Sequence, residues 1–249
     1  MPYADRPGAG SADVEETIPV FAGWLGSWQI SLQRRALSAP QLSRRYDQAA
    51  AGWSAKLDRL GLPGAYAALL RTAASEDLPA ATAPPLRVLD CGVGTGTLSS
   101  ALTRVSPGPI RLDAIDISPR MLEQARRRLR DANLTPSLHC GDVRALPYGD
   151  DAFDIVMTGH VLEHLADPGV ALREMVRVLK PGGLLVACLT RRSALGTYIH
   201  LKWRTHRLTP AQAEHWLRDG GLDDVRCIAP DRHAVFRQLS VACLGRKPL

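Results

Sequence analysis

Val88-Leu89-Asp90-Cys91-Gly92-Val93-Gly94-Thr95-Gly96 reads as a buried strand, an acid at its carboxyl end, a glycine turn and the start of a helix. In doubly wound sheets, ligands sit outside the carboxyl ends of the strands, beside such turns. Glycine lets the backbone turn sharply and approach a ligand closely. The spacing here is Gly-x-Gly-x-Gly, not the Gly-x-Gly-x-x-Gly of dinucleotide sites. Asp90 puts a negative charge beside the turn, which repels a pyrophosphate and attracts a cationic ligand with an amino-acid end.

Further strands follow at regular spacing. Ile110-Arg111-Leu112-Asp113-Ala114-Ile115-Asp116 is a second strand ending in an acid. Ser118-Pro119 then starts a helix as N-cap and first-turn proline, with Met121 in the first turn. Gly141-Asp142-Val143 closes a third strand, and Phe153-Asp154-Ile155-Val156 begins a fourth. Leu179-Lys180-Pro181-Gly182-Gly183-Leu184-Leu185-Val186 is a turn into a fifth. Strands alternating with helices point to a parallel sheet covered on both faces.

In this order, the five segments resemble the class I S-adenosylmethionine-dependent methyltransferases, especially the small-molecule group that includes the ubiquinone/menaquinone-biosynthesis enzymes. The likeness runs over residues 86–190 and continues more weakly to the C-terminus. It implies an α/β fold: a doubly wound, Rossmann-like, seven-stranded and mostly parallel sheet with an antiparallel C-terminal edge hairpin. It also implies S-adenosylmethionine as cofactor, S-adenosylhomocysteine as product and no metal. On this pattern Asp90, Gly92, Gly94 and Gly96 line the methionine end. Asp116 holds the ribose hydroxyls, Ile117 and Met121 lie against the cofactor, and Asp142 and Val143 meet the adenine edge.

With 249 residues, the chain accommodates one α/β domain and an N-terminal element. The formal charge of +6 permits anionic partners without requiring them, and scattered arginines read as a solvated basic surface. The sequence shows neither an RNA-recognition motif nor the Asn/Asp-Pro-Pro-aromatic tetrapeptide, so no nucleic-acid partner is expected. The five cysteines, Cys91, Cys140, Cys188, Cys227 and Cys243, read as buried small hydrophobes in a reducing cytoplasm. Neither a secretory leader nor a spanning apolar run is visible, which also points to a cytoplasmic protein.

Residues 1–18 read as a disordered tail, 19–80 as a helical extension serving as a lid, and 81–249 as the catalytic domain. Phe21, Trp24, Leu25, Trp28 and Leu32 follow a helical stripe between Val20 and Arg35. That stripe fits a lid, a homodimer contact or a membrane-surface helix, the last being the weakest reading because its basic residues sit at one end. Further helices are expected over 39–60, 63–74, 168–179 and after Thr209-Pro210, with 75–85 as a linker. Strands are expected over 86–91, 110–116, 135–140, 153–159 and 183–190, and over 222–229 and 235–246 as the edge pair.

His160-Val161-Leu162-Glu163-His164 matches an inverted zinc-protease pattern, but it follows a strand end where related methyltransferases carry a similar Val-Leu-Glu-His-Leu stretch. At the mouth of the site, His160 is the first candidate base or orienting group. His200, in the loop-like stretch Tyr198–Arg207, is the second. Glu163 and His164 are assigned structural roles. Arg44-Arg45-Tyr46-Asp47-Gln48-Ala49-Ala50-Ala51-Gly52-Trp53 resembles the segment that covers the site in the same group, which puts Tyr46 and Trp53 near the acceptor. The expected reaction is in-line methyl transfer to a small-molecule acceptor, O-methylation being favoured. The alternatives are RNA or protein methylation, and a cyclisation or rearrangement on the same fold.

Overall fold

The computed structural model describes residues 16–76, 85–106, 108–228 and 234–249. Most of the expected tail, and the heart of the expected linker, lie outside these residues.

The chain opens with a correction. The aromatic stripe forms two antiparallel strands, β1 (Thr17–Leu25) and β2 (Trp28–Arg35), not a helix. Gly26 adopts φ 60° in the two-residue turn between Leu25 and Trp28, a conformation that suits tight hairpins. Residues 28–33 alternate apolar and polar, the period of a strand. Thr17 and Ile18 therefore belong to β1, not to a tail.

Two helices follow, α1 (Ala39–Arg59) and α2 (Leu62–Glu76). Ser38 and Gln41 form a capping box at the start of α1, with Pro40 in its first turn.

The seven-stranded sheet region is built on β3 (Leu86–Cys91), α3 (Thr97–Leu102), β4 (Ile110–Asp116), α4 (Pro119–Asp131), β5 (Ser137–Cys140) and β6 (Phe153–Gly159). It continues through α5 (Pro168–Val178), β7 (Leu179–Thr190), α6 (Ala194–Trp203), α7 (Pro210–Asp219), β8 (Asp223–Ile228), α8 (Ala234–Leu239) and β9 (Ser240–Arg246). The sheet order is β5-β4-β3-β6-β7-β9-β8, with β9 antiparallel to both neighbours. The order reverses beside β3, which opens the crevice where ligands bind in such sheets.

Side-chain alternation divides the core into two layers. Val88, Ile155, Met157, Val186 and Cys188 pack beneath α2, α3, α4 and α8. Leu89, Cys91, Phe153, Val156, Leu185 and Leu189 pack beneath α5 and α7. Strands buried on both faces read as near-continuous apolar runs, which is why this region was plain in the sequence.

Three boundaries differ from expectation. β7 begins at Leu179, paired with Phe153, because the Pro181-Gly182-Gly183 irregularity is absorbed within the strand. The stretch containing Tyr198 is the helix α6, capped by Ser193, whose hydroxyl accepts from the Gly196 amide. The last strand begins at Ser240 because Phe236 belongs to α8 and is buried edge-on against Tyr66.

The cysteine reading also changes. Cys91 and Cys188 are buried, but Cys140 is exposed. Cys227 and Cys243 stand opposite each other on β8 and β9 and are joined by a disulfide. The cysteine pattern therefore carries no argument for a reducing compartment.

Candidate active site

A cavity of about 200 Å³ lies at the carboxyl ends of β3, β4 and β6, roofed by α1 and flanked by α6. Its floor is the turn after β3. Gly92, Gly94 and Gly96 take φ of 77°, 52° and 77°, values that favour glycine. Each glycine has a different physical reason. A Cβ on Gly92 would stand 2.1 Å from Val161 Cγ2. One on Gly96 would press on Leu129 and Ala125, so this residue, expected at the cofactor, instead seats α3 against α4. A Cβ on Gly94 meets nothing within 4 Å and sits beside the cavity. That open space lets a ligand approach the backbone closely.

Two buried carboxylates face it. Asp90 accepts a hydrogen bond of 2.5 Å from Ser99 Oγ. Burial raises its pKa to about 7, Ser99 opposes the rise and the field of Asp116 adds to it. Asp116 Oδ2 accepts from the Gly94 amide at 2.8 Å, and Oδ1 from the Ser118 amide at 2.9 Å. Burial raises Asp116 to about 6 against those amide bonds, with Asp47 adding to the rise. Each oxygen retains acceptor capacity for a ribose hydroxyl. The acid thus ties the glycine turn to the start of α4 while facing the cavity. Ile117, Met121 and Val143 also line the cavity.

Asp142 lines the cavity too, but Arg144 occupies both its oxygens, at 2.8 to 3.2 Å. Burial pushes its pKa up, and the Arg144 bonds outweigh this to leave it lowered. Asp142 and Arg144 form a charged rim beside the expected adenine edge.

The candidate bases fall differently from expectation. His160 lines the cavity, but Nδ1 faces Glu163 at 3.0 Å and Thr190 at 3.3 Å, while Nε2 faces Ser240 at 3.0 Å. Both ring nitrogens are bound, and φ is 60°. The ring thus links the end of β6 to β7 and β9. His200 is not among the cavity-lining residues. α6 turns it inward, where Nδ1 hydrogen-bonds the Thr205 carbonyl, while Ile199 and Trp203 face the cavity.

His164, assigned a structural role from the sequence, lines the cavity. It sits in the 3-10 turn Leu162–His164, buried against the roof. Nε2 lies 2.8 Å from the Tyr46 hydroxyl, and the ring also hydrogen-bonds the Trp203 backbone. Burial lowers its pKa to about 4, so the ring is neutral near neutral pH. Burial raises the Tyr46 phenol above its ordinary value. A protonated phenol therefore donates to a neutral imidazole. Tyr46 stacks on Trp203, with centroids 5.0 Å apart, and meets Trp53 edge-on at 5.9 Å. Buried Glu163 stands beneath, accepting from Thr190 N at 2.9 Å and Thr190 Oγ1 at 2.6 Å.

The roof is fixed by polar contacts. Asp47 Oδ1 accepts from Ser118 Oγ at 2.6 Å, and Ser43 Oγ donates to the Ile117 carbonyl at 2.9 Å. These bonds lock α1 over the acidic end of β4. Leu42, Leu57, Leu60, Leu62 and Leu239 complete a mostly apolar chamber.

Residues 89–187 match the methyltransferase domain family. The chain is 38% identical over 164 residues to a demethylmenaquinone methyltransferase of Parafrankia sp., covering 59% of each. It is 40% identical over 105 residues to the ubiquinone/menaquinone biosynthesis C-methyltransferase UbiE of Vibrio vulnificus, covering 41% of this chain and 40% of that one. A malonyl-acyl-carrier-protein O-methyltransferase of Halorhodospira halophila is 39% identical over 102 residues, covering 41% of this chain and 34% of that one. The chain thus spans less than two thirds of the length of these relatives. In fold it is similar to the methyltransferase complexed with the Trm112 activator of Haloferax volcanii, with a TM-score of 0.63, 23% identity and coverage of 82% and 98%. It is likewise similar to the cyclase SpnF, with a TM-score of 0.64, 23% identity and coverage of 86% and 97%. With its acid-tipped strands, its glycine turn and these relatives, the chain is similar over residues 89–187 to the class I S-adenosylmethionine-dependent methyltransferase domain.

Proposed function

We propose that the protein transfers a methyl group from S-adenosylmethionine to an apolar, ring-bearing small molecule with an ionisable hydroxyl. The observation that carries this reading is the joining of two half-sites in one cavity. One half is the glycine cradle with Asp90 and Asp116. The other is an aromatic and leucine-walled chamber closed by the Tyr46–His164 pair.

S-adenosylmethionine, when bound, supplies an electrophilic methyl group and leaves as a neutral thioether. The residues have four tasks. Asp90 is suited to the cationic methionine end, and Asp116 to the ribose hydroxyls. Trp53, Trp203 and Tyr46 exclude water and orient a flat acceptor. Tyr46 Oη, whose proton is held by His164 Nε2, has lone pairs left to accept a hydrogen bond from the acceptor's hydroxyl and so polarise it.

Polarising that hydroxyl activates the acceptor oxygen and, on a phenol-like ring, the adjacent carbon. The same residues therefore serve O- and C-methylation, and relatives named for both kinds exist. O-methylation, favoured from sequence, gains no advantage from this geometry.

The test is incubation with methyl-labelled S-adenosylmethionine and separate lipid, RNA and protein fractions of a bacterial extract. Label in organic-soluble small molecules is the expected result, and mass spectrometry of the product then shows which atom carries it. Label confined to RNA or protein contradicts the reading. So does an unlabelled, rearranged product.

A further inference from the structure

We propose that the β1–β2 hairpin and the outer face of α6 form a docking surface for an anionic lipid bilayer. Ile18 at the foot of the hairpin is buried, whereas apolar side chains towards the tip are uncovered. Trp24 and Trp28 at its tip are 73% and 76% exposed, and Leu25, Ile30 and Leu32 are also exposed. Trp28, Ile30 and Leu32 share one face by strand alternation, with Leu25 directly opposite Trp28. Exposed apolar area of this kind marks an interaction site.

α6 extends the surface. Tyr198 and Leu201, three residues apart and both exposed, lie on one face of the helix. Arg34 Nη1 donates to the Leu201 carbonyl at 3.1 Å, which fastens the foot of the hairpin to the end of α6.

The charge around this surface selects the occupant. From Thr17 to Tyr46 the chain has four arginines and no acidic residue. From Arg191 to Ala213 it has five cations and again no acid. A second copy would bring like charges together. An anionic bilayer is complementary: the headgroups attract the cations, and the tryptophans suit the zone beneath. Tryptophan and tyrosine both favour that boundary.

The position has a functional consequence. Leu37, just beyond β2, and Ile199 and Trp203 of α6 line the cavity. A bilayer docked here faces the apolar chamber from the side an apolar acceptor would leave it. That delivery role rests on the function proposed above; docking itself does not.

The test is sedimentation of the full chain with vesicles of phosphatidylcholine alone, or of phosphatidylcholine mixed with phosphatidylglycerol. Binding to the mixed vesicles is expected. Quenching of tryptophan fluorescence by brominated lipid should accompany it. The double variant Trp24→Ser/Trp28→Ser should bind about tenfold more weakly or worse, because affinity scales with the apolar area inserted. Its unchanged S-adenosylmethionine affinity would show that the domain and cofactor site are intact. No binding to anionic vesicles overturns the proposal. Equal binding of the variant overturns insertion, since simple charge attraction would then suffice. A dimer in solution that the same variant dissociates assigns the surface to a second copy and also overturns it.

Discussion

At the level of single residues, the three glycines of the turn after β3 separate packing from ligand binding. Gly92→Ala drives a Cβ into Val161 in addition to left-handed strain, whereas Gly94→Ala incurs only the strain. Left-handed backbone costs a non-glycine residue about 1–2 kcal/mol. Gly94→Ala should therefore lower stability by about that much and weaken cofactor binding severely. Gly92→Ala should be the less stable protein. Denaturant melts paired with calorimetric titration check both. Equal cofactor affinity in Gly94→Ala and wild type would remove Gly94 from the site. Asp90 offers a second test. Its folded pKa of about 7 exceeds its ordinary 3.8, so the folded state holds the proton more tightly. Stability must then fall as pH rises from 3.8 towards 7, and the loss is complete above that. Asp90→Asn should stabilise the ligand-free protein near pH 8 by on the order of 1–3 kcal/mol, with the gain vanishing near pH 4. A variant less stable than wild type at the higher pH would contradict this. The acids and glycines were legible because strand, acid and turn are contiguous. His164 was not, because its role depends on a 3-10 turn that points it at Tyr46, 118 residues earlier.

Among the elements, the N-terminal hairpin shows where a sequence pattern supports two answers. Trp24, Leu25, Trp28 and Leu32 fit a helical stripe, while Trp28 to Gln33 alternate strictly. The two-residue turn with Gly26 at positive φ decides for strands, and that cue was present in the sequence. α6 was not legible because its start rests on a single cap, the Ser193 hydroxyl accepting from the Gly196 amide. The place of α1 beside the cavity was legible from Tyr46 and Trp53, although its hydrogen bonds to Ser118 and Ile117 were not. The pairing of α1 with the 3-10 turn makes a specific prediction. Tyr46→Phe and His164→Gln should each lower turnover about tenfold or more, the scale of one lost orienting hydrogen bond, with cofactor affinity little changed. The double variant should be no slower than the slower single one, because the two groups act as a unit. Multiplicative losses would show that they act separately. His160→Ala should instead lower thermal stability, since it removes partners from buried Glu163 and from Ser240.

For the whole molecule, the sheet and its two core layers were readable because each strand is an apolar run closed by a turn signal. The acceptor chamber was not, since its walls converge from α1, α2, α6 and the segment before β9. Sequence proximity gives no hint of that convergence. The shape that results, an acidic cradle open to an apolar vault, leaves the ligand-free protein with two carboxylates, Asp90 and Asp116, raised to about 7 and about 6. Affinity for S-adenosylmethionine should accordingly strengthen as pH rises through 6 and 7, because each ionised acid attracts the cationic ligand or its hydroxyl donors more strongly. An affinity that falls over this range would argue against acid recognition. The most direct measurement is calorimetric titration of S-adenosylmethionine into the wild type and into Asp116→Asn, with thermal melts to confirm folding. One bound equivalent is expected, weakened in the variant by about 1–3 kcal/mol, the size of charge-assisted hydrogen bonds. A folded wild type that does not bind the cofactor, or a folded variant that binds it equally well, would contradict the assignment of this cavity.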